Sequence, residues 1–300
     1  MFSIIVPTFN RAPILQEALT TMLHMDGIAD CELIVVDDGS TDETPIMLER
    51  LRTRHPGLVR VVRQTNAGPG MARNTGLHVA TRDYVLFLDD DVFPEPDLLH
   101  AHARFLRQGF DLSQGMLVWD PRLANSWLVR YMDAHGMQFA FDKVTDDHDL
   151  PYLYVYTANL AVLREKIMQQ GGFDPVFAAK RYAFEDTALA YRLKRMGCRL
   201  GLNRAARAVH YHPITPEGLA VREYKVGYAL GVLQEHYPDI AAALHVPRLG
   251  VLYRAITFGL GMLVSCPAIR FLNEQTRLRL ACREAFGRGR IDYEHNHRTA

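Results

Sequence analysis

The chain has 300 residues, of which 48% are hydrophobic and 23% charged, the proportions of an ordinary globular protein with one large domain or two modest ones. Its formal net charge is zero, so the overall charge gives no reason to expect a nucleic-acid partner. The four cysteines include no C-x-x-C pair, which favours free thiols of a cytoplasmic protein over disulfides or a zinc site.

The first ninety residues alternate between short apolar runs and segments with helical spacing. Strands are predicted at 2–7, 31–38, 58–64 and 83–90. Helices are predicted between them, at 14–23, 44–55 and 70–80. This alternation implies right-handed crossovers and a Rossmann-like α/β unit with a doubly wound, mostly parallel sheet. Ligands of such sheets bind at the carboxyl ends of the strands, so the residues that follow each strand are the informative ones.

After residue 110 the alternation loosens. Further strands are predicted at 113–119 and 151–162, and further helices at 164–170 and 185–197. Residues 216–286 are predicted to be mainly helical. We therefore expect an α/β domain over residues 1–215 and a mainly helical C-terminal extension over 216–300.

Three consecutive aspartates end the fourth predicted strand. Because side chains alternate between the faces of a strand, Asp89 and Asp91 are expected on one side and Asp90 on the other. Carboxylates two residues apart form a D-x-D site of hard oxygen ligands, suited to Mg²⁺ or Mn²⁺ beside phosphate oxygens. Taken alone, the triplet fits a solvated acidic turn equally well, since Pro94 and Pro96 follow it.

Polar residues also follow the second and third predicted strands. Asp37 and Asp38 precede a glycine turn, and a carboxylate there can accept hydrogen bonds from a uracil or from ribose hydroxyls. Helix capping explains Ser40–Asp42 but not these two adjacent acids. Downstream, Gly70 opens a predicted helix that carries Arg73 on its first turn, an arrangement that favours phosphate. Neither a Walker loop nor a G-x-G-x-x-G fingerprint is present.

Six motifs occur together in one order along residues 2–212. They are "SIIVPTFNR", "ELIVVDDGSTDET", "NAGPGMARNTGL", "YVLFLDDD", "TANLAVLREKIMQQGGFDP" and "FEDTALAYRLKRMG". In this order they resemble the family 2 glycosyltransferases of the GT-A fold. The resemblance implies an inverting, hexosyltransferase-type enzyme that uses a nucleotide-diphosphate sugar, most often a UDP-sugar, with Mn²⁺ or Mg²⁺ as cofactor.

The resemblance also implies roles for individual residues. The donor nucleotide is expected to contact Pro7, Thr8, Asn10, Arg11, Asp37, Asp38, Asn66, Gly70, Arg73, Asp89 and Asp90. The metal ligands are expected among Asp89, Asp91, His210 and His212, with one of the two histidines either completing the metal shell or contacting the diphosphate. The acceptor side is expected to include Asn159, Phe173 and Asp174.

Glu185 and Asp186 resemble the family's catalytic pair, with Asp186 as the base that deprotonates the acceptor hydroxyl and Glu185 as the second choice. From the residues alone, an acidic first helical turn that stabilises the helix dipole by under about 1 kcal/mol explains the pair as well. Two other classes remain open: a non-catalytic nucleotide-sugar-binding protein, and a sugar nucleotidyltransferase. The usual glycine- and arginine-rich signature of the latter is missing after the first strand.

The expected acceptor is a sugar, glycolipid or polysaccharide, with a role in cell-surface polysaccharide or glycolipid synthesis and no nucleic-acid partner. Residues 255–269 are 15 uncharged residues between Arg254 and Arg270. This segment is shorter than the roughly 20 residues needed to span a bilayer, so it predicts a buried or interfacial helix. With arginines around it, peripheral contact with the inner face of an anionic membrane is expected.

Overall fold

A mixed β-sheet forms the first of two structural units in this computed structural model, which describes residues 1–178, 183–245 and 251–298. That unit comprises residues 1–178 and 185–213, and the remaining described residues form the second unit. The chain enters the second unit after Pro213. The expected domain boundary after residue 215 stays a prediction.

Within the described residues the sheet has eight strands. They are β1 (Phe2–Thr8), β2 (Glu32–Asp37), β3 (Val59–Arg63), β4 (Tyr84–Leu88), β5 (Val92–Pro94), β6 (Leu112–Trp119), β7 (Asn159–Leu163) and β8 (Leu200–His210). Their order is β3-β2-β1-β4-β7-β6-β8-β5. The pairs β1–β2, β1–β4, β2–β3 and β6–β8 are parallel, whereas β4–β7, β6–β7 and β5–β8 are antiparallel. The predicted parallel half is therefore present, joined to a mixed half.

Eleven α-helices are assigned in the part of the chain that the structure describes. They are α1 (Ala12–Met22), α2 (Thr44–Arg54), α3 (Pro69–Val79), α4 (Leu98–Leu106), α5 (Trp127–Ala134), α6 (Arg164–Gln169), α7 (Glu185–Arg195), α8 (Pro216–His236), α9 (Pro238–Ala243), α10 (Val251–Ser265) and α11 (Glu274–Arg298). The expected helical character of 216–286 is confirmed, apart from residues 246–250, which lie outside the described ranges. None of the helices so described is long and apolar enough to cross a membrane.

The predicted strand at 151–162 was wrong over its first half. β7 begins only at Asn159, and Tyr152–Tyr154 forms a single 3₁₀ turn instead. The ring of Tyr152 packs edge-on against Tyr191 of α7, with 5.3 Å between the ring centroids. Tertiary packing of the aromatic side chains therefore overrides the β-propensity of this run.

The core lies between the central strands and their helices. Ile4 of β1, Val35 of β2 and Leu86 of β4 are completely buried, as expected for strands covered on both faces. Helix α1 adds Leu15 and Leu19 from one face, at the spacing of a helical turn. This apolar layer holds the carboxyl ends of β1, β2 and β4 at one edge of the sheet.

The sheet order requires a strongly curled sheet. Along the chain only Asp89–Asp91 separate β4 from β5. In the sheet, however, β5 is the edge strand and lies four strand positions from β4. In a flat sheet four strand spacings would span about 19 Å. The link from Leu88 to Val92 can span about 14 Å at most. The second half of the sheet therefore curls back, and the aspartate triplet lies where the two halves approach each other.

Candidate active site

The aspartate triplet lies in a turn and not in a strand. Because β4 ends at Leu88, the alternation expected for Asp89–Asp91 does not apply. Arg11 contacts both later aspartates, with Nη1 3.1 Å from Asp90 Oδ1 and Nη2 2.9 Å from Asp91 Oδ2. Asp89 instead pairs with Arg73, 2.7 Å away. Arg11 thus contacts Asp90 and Asp91, whereas Asp89 contacts Arg73, and the predicted D-x-D metal pair of Asp89 and Asp91 stays a prediction.

Asp90 is buried and contacts β1. The hydroxyl of Thr8 donates to its Oδ2 at 2.8 Å. Burial raises the pKa of Asp90 to about 7, because Arg11 offsets only part of the desolvation and Asp91 adds repulsion. Thr8 and Arg11, both predicted on the donor side, therefore hold this carboxyl group in place.

Asp91 faces two histidines. Its Oδ1 lies 3.3 Å from Nε2 of His210, and its Oδ2 lies 3.0 Å from Nδ1 of His212. Burial alone would raise the pKa of Asp91, but hydrogen bonds from His210 and His212, followed by Arg11, hold it well below its usual range. One ligand atom from each of these three residues lies within 4.8 Å of the others. A carboxylate oxygen and two imidazole nitrogens are a donor set that fits a divalent transition metal.

Strand pairing brings the histidines to Asp91. β8 runs antiparallel to β5 with His210 opposite Val92, and the backbone N–H of Tyr211 donates to the carbonyl of Asp91 at 2.9 Å. The rings of Trp119 and Phe139 pack around His210, with centroid distances of 5.5 and 5.1 Å. Nδ1 of His210 is buried with no hydrogen-bond partner among the described residues. The ring is therefore fixed by packing on its sides and by Asp91 at Nε2.

A bulge in β8 sets this register. Gly115 of β6 pairs with Asn203, but the next residue, Met116, pairs with Arg207, so β8 contains three extra residues opposite this step. A bulge of this kind redirects a strand and is common beside functional sites. Beyond it, β8 runs alongside both β5 and the end of β6 to His210.

Asn159 supports the bulge from inside the sheet. It is completely buried, its Nδ2 donates to the carbonyls of Ala206 and Met116 at 3.0 and 3.2 Å, and its Oδ1 accepts from Nε2 of His102 at 3.0 Å. A side chain at Gly115 would lie 2.1 Å from Asn159 Nδ2, so this step requires glycine. All of these polar groups are bonded within the protein, and the predicted acceptor contact of Asn159 stays a prediction.

His102 extends the same buried network. Because Asn159 Oδ1 is the acceptor, Nε2 of His102 carries its proton, and Nδ1 accepts from the hydroxyl of Ser113 at 2.8 Å. Burial lowers the pKa of His102 to about 4, so the ring is neutral near pH 7. Asn203 donates to Ser113 Oγ at 3.3 Å and closes the network at the first residue before the bulge. Nothing in the local sequence pattern signals these partners.

The second predicted acidic pair organises the loops beside β1. Asp38 accepts from the backbone N–H groups of Ala67 and Gly68 at 2.9 and 2.8 Å and from Gln64 Nε2 at 2.7 Å. Asp37 accepts from the N–H of Ser40 at 2.8 Å. Both acids are almost completely buried, so in this structure they fix the loop after β3 against the loop after β2.

The loop after β1 carries the other predicted donor residues. Pro7 is buried within the strand, and Asn10 has a left-handed backbone with φ of 55°, a conformation that asparagine tolerates. Oδ1 of Asn10 accepts from the N–H of Thr41 at 2.7 Å, which ties this loop to the one after β2. Asn66 is exposed at the same edge. A side chain at Gly70 would meet Phe173 and Glu185 at 3.5–3.6 Å, so this glycine lies beside the predicted catalytic pair.

Arg73 connects the triplet to the predicted catalytic pair. Its guanidinium is only 4% exposed and lies 2.7 Å from Asp89 Oδ1 and 3.5 Å from Glu185 Oε1. Burial raises the pKa of Asp186 to about 7, and repulsion from Glu185 adds to the rise. Asp186 is partly exposed and accepts from the N–H of Thr187 at 2.8 Å. A carboxyl group that changes charge near neutral pH can exchange protons with a bound hydroxyl.

Hydrogen bonds to α3 hold the segment that contains Phe173 and Asp174. Asn74 exchanges two hydrogen bonds with the backbone of Phe173, from its Nδ2 to the carbonyl at 2.8 Å and from the N–H to its Oδ1 at 2.7 Å. The Phe173 ring is buried and lies 5.6 Å from the Arg73 guanidinium carbon. Oδ1 of Asp174 accepts a hydrogen bond from the N–H of Val176 at 2.9 Å and so caps the next 3₁₀ turn. Sequence reasoning missed Asn74, although it directly follows Arg73.

Comparison with known proteins identifies the family of the chain. Residues 3–172, more than half of the chain, match the family model Glycosyl transferase family 2. The chain is 26% identical over 279 residues to a chondroitin synthase of Pasteurella multocida, a match that covers 79% of this chain and 27% of that protein. It is 28% identical over 268 residues to a chondroitin synthase of Escherichia coli, covering 79% and 38% respectively. The chain therefore spans well under half the length of these relatives.

Solved structures show the same fold. A mannosyltransferase from Pyrobaculum calidifontis, in complex with GDP-Man and Mn²⁺, superposes with a TM-score of 0.64 at 20% identity and covers 99% of this chain and 87% of that one. Residues 1–349 of Staphylococcus aureus TarS, in complex with UDP-GlcNAc, give a TM-score of 0.57 at 19% identity, with coverages of 98% and 92%. The predicted GT-A fold with a helical C-terminal region is confirmed. The chain belongs to glycosyl transferase family 2.

Proposed function

We propose that this glycosyltransferase is a metal-dependent inverting enzyme that moves a hexosyl group from a UDP-sugar to an acceptor hydroxyl. The observation that carries the proposal is the group of buried Asp91 and His210 with the partly exposed His212 at the carboxyl edge of the sheet, next to Arg11 and Asp90. A buried carboxylate that faces two imidazoles and an arginine suits a site for a cation and a diphosphate together.

The metal would be held by Asp91, His210 and His212. Two imidazole nitrogens in the donor set favour Mn²⁺ over Mg²⁺, which prefers oxygen ligands and retains water. The solved mannosyltransferase with the same fold is in complex with Mn²⁺, which supports this choice. A divalent cation held by these residues would supply positive charge that stabilises the diphosphate leaving group. Asp89 would be a further metal ligand, although in this structure its carboxylate pairs with Arg73.

Side chains of the protein would bind the diphosphate and accept the proton of the acceptor. Arg11 and Arg73 supply positive charge beside the three aspartates, where diphosphate oxygens would lie. Asp186 takes the proton of the acceptor hydroxyl as its oxygen attacks the anomeric carbon on the face opposite the diphosphate, which inverts the configuration. Its pKa of about 7 leaves a useful fraction as carboxylate at neutral pH. Burial, followed by repulsion from Glu185, keeps that pKa high, and Glu185 also contacts Arg73.

Donor and acceptor are proposed from relatives. TarS with UDP-GlcNAc or UDP bound supports a UDP-linked donor, and relatives named chondroitin synthase and hyaluronan synthase support a polysaccharide acceptor. A glycolipid acceptor would use the same hydroxyl chemistry. In this view the loops held by Asp37, Asp38 and Asn10 form the nucleoside side of the site, and Phe173 and Asp174 border the acceptor side.

The test is turnover against a panel of nucleotide sugars with oligosaccharide and glycolipid acceptors, with and without Mn²⁺. We expect Mn²⁺-dependent release of UDP and a product with inverted anomeric configuration by NMR. Asp186→Asn should abolish transfer while donor binding persists, and the exposed Glu165→Gln on α6 is the matched control. Pyrophosphate release from a nucleoside triphosphate and a sugar phosphate would instead show a nucleotidyltransferase. Donor binding without turnover on any acceptor would favour a binding protein.

A further inference from the structure

Helix α10 in the second unit exposes its large apolar side chains and packs its polar face against the protein, which is the reverse of an ordinary helix in a folded protein. The large side chains Leu252, Phe258 and Met262 are 74%, 71% and 64% exposed. Ile256 and Leu263 are also exposed, and with Leu252 they follow the spacing of one helical face. Isolated exposed apolar residues are normal, but a continuous apolar helix face marks an interaction surface.

The opposite face of α10 packs against α11 through polar and aromatic residues. Thr257 is 8% exposed and lies so close to Gly287 that a side chain at that glycine would clash with it. Arg254 pairs with Glu294, and the Arg290 guanidinium carbon lies 5.3 Å from the centroid of the Tyr253 ring. Because α10 is already anchored on this side, its apolar face is directed outwards as part of the folded unit.

The apolar surface continues past the end of the helix. Phe271 is 80% exposed, Leu272 is exposed as well, and Arg270 lies beside Phe271 with its guanidinium carbon 5.1 Å from the ring centroid. An arginine next to an exposed aromatic ring is the pairing that suits the boundary between lipid headgroups and acyl chains. We define the outward face as Leu252, Ile256, Phe258, Met262, Leu263 and Phe271.

Basic residues dominate the sequence around the outward face, although Glu294 of α11 pairs with Arg254. Residues 240–273 contain no Asp or Glu, and residues 240–283 contain six arginines and one glutamate, a net charge of +5 in a chain whose total is zero. A second copy of this chain on the same face would bring two such basic segments together. An anionic surface would instead be attracted to them, while its interior accepts the apolar side chains.

We propose that the outward face of α10 docks on the surface of an anionic lipid bilayer and lies in the plane of the interface. The proposal does not depend on the glycosyl transfer proposed above. It names a lipid surface as the partner of the C-terminal helices. At 15 residues, α10 is too short to cross the bilayer and suits the interfacial position.

The experiment is co-sedimentation of the full chain with vesicles of phosphatidylcholine containing phosphatidylglycerol, against vesicles of phosphatidylcholine alone. We expect binding to the anionic vesicles that weakens as salt is raised. Phe258→Ser combined with Met262→Ser should lower the partition coefficient by at least about tenfold, because two apolar side chains are lost from the interface. Arg270→Gln should lower it about fivefold on anionic vesicles only. Ile46→Ser, on the exposed side of α2 in the first unit, is the matched control and should bind like wild type.

Each variant is first compared with wild type by circular dichroism, which should be unchanged because the substituted side chains lie on the surface. Failure of the wild-type protein to bind anionic vesicles would overturn the proposal, and so would undiminished binding of the double variant. A concentration-dependent dimer in analytical ultracentrifugation that the double variant abolishes would also overturn it, since a second copy would then cover the face.

Discussion

Substitution of Asn159 by alanine tests whether the bulge in β8 is held from inside the sheet. The side chain makes three hydrogen bonds in a site with no exposed surface, to His102 and to the carbonyls of Met116 and Ala206. Alanine removes all three and leaves a void between β6, β7 and β8. The same carbonyls and ring nitrogen then remain buried without partners.

The expected loss of stability follows from these partners. Each buried polar group that loses its partner costs about 1–3 kcal/mol, and relaxation or water entry into the void recovers part of that. We therefore expect the free energy of unfolding of the first unit to fall by about 3–5 kcal/mol. With a urea m-value of about 2–3 kcal/mol/M, the unfolding midpoint should fall by roughly 1–2.5 M.

Tryptophan fluorescence is the appropriate probe, because both tryptophans of the chain, Trp119 and Trp127, lie in the first unit. Urea titrations of wild type and Asn159→Ala should give similar m-values and different midpoints. Asn125→Ala is the matched control, since Asn125 is exposed in the same unit and its substitution should leave the midpoint unchanged. A midpoint for Asn159→Ala within about 0.3 M of wild type, an effect of under about 1 kcal/mol, would refute the structural role. If only the KM for acceptor then changed, the acceptor contact would be favoured instead.

The remaining predictions concern the base, the triplet and the core. Because the pKa of Asp186 is raised to about 7, the carboxylate fraction of the base shrinks below that pH, so kcat/KM should fall by up to about tenfold per pH unit below it. A profile of kcat/KM that is flat from pH 5 to about 8 would contradict this. Substitution of Asp90 by asparagine should leave the Mn²⁺ affinity, measured by electron paramagnetic resonance, within about threefold of wild type. The reason is that Asp90 contacts Thr8 and Arg11 and is not part of the Asp–His–His group. A loss of affinity as large as that of Asp91→Asn would show that Asp90 belongs to the metal site. Gly76→Ala should lower the free energy of unfolding by about 1–3 kcal/mol, because the added methyl would lie 2.5 Å from Ile5 Cγ2. The control is Gly259→Ala, at a helical glycine with open space around it, which should not lower the free energy of unfolding. Equal losses for the two variants would contradict the packing argument.

Much of the fold followed from local patterns. Continuous apolar runs predicted β1 to β4 because parallel strands covered on both faces need no polar alternation. The residues after those strands predicted the ligand edge, and Arg11, Arg73 and Asp89–Asp91 do converge there. The separate contacts of Asp89 and of Asp90–Asp91 were missed because they depend on where β4 ends, and strand ends are set by pairing and by the curl of the sheet.

Other features of the site have no local signal. His210 and His212 meet Asp91 because β8 pairs with β5, a contact between residues about 120 positions apart in the chain. That register depends in turn on a bulge, on Gly115 opposite it and on Asn159 from a third strand. No periodicity in one segment encodes a network spread over β6, β7, β8 and α4. The sequence motif around Asn159 was interpreted as an acceptor wall, and this stays a prediction; in the structure the Asn159 side chain contacts β6, β8 and α4.

The most direct test of the proposed donor site is calorimetric titration of UDP into the protein with and without Mn²⁺, for wild type, Asp91→Asn and His212→Ala. The account predicts Mn²⁺-dependent binding for wild type, a loss of at least about tenfold for either variant, and wild-type affinity for the control Glu95→Gln, whose exposed carboxylate pairs with Arg207 outside the Asp–His–His group. Equal affinity for UDP in all four proteins, or binding that ignores Mn²⁺, would contradict a metal and nucleotide site built on Asp91 and its two histidines.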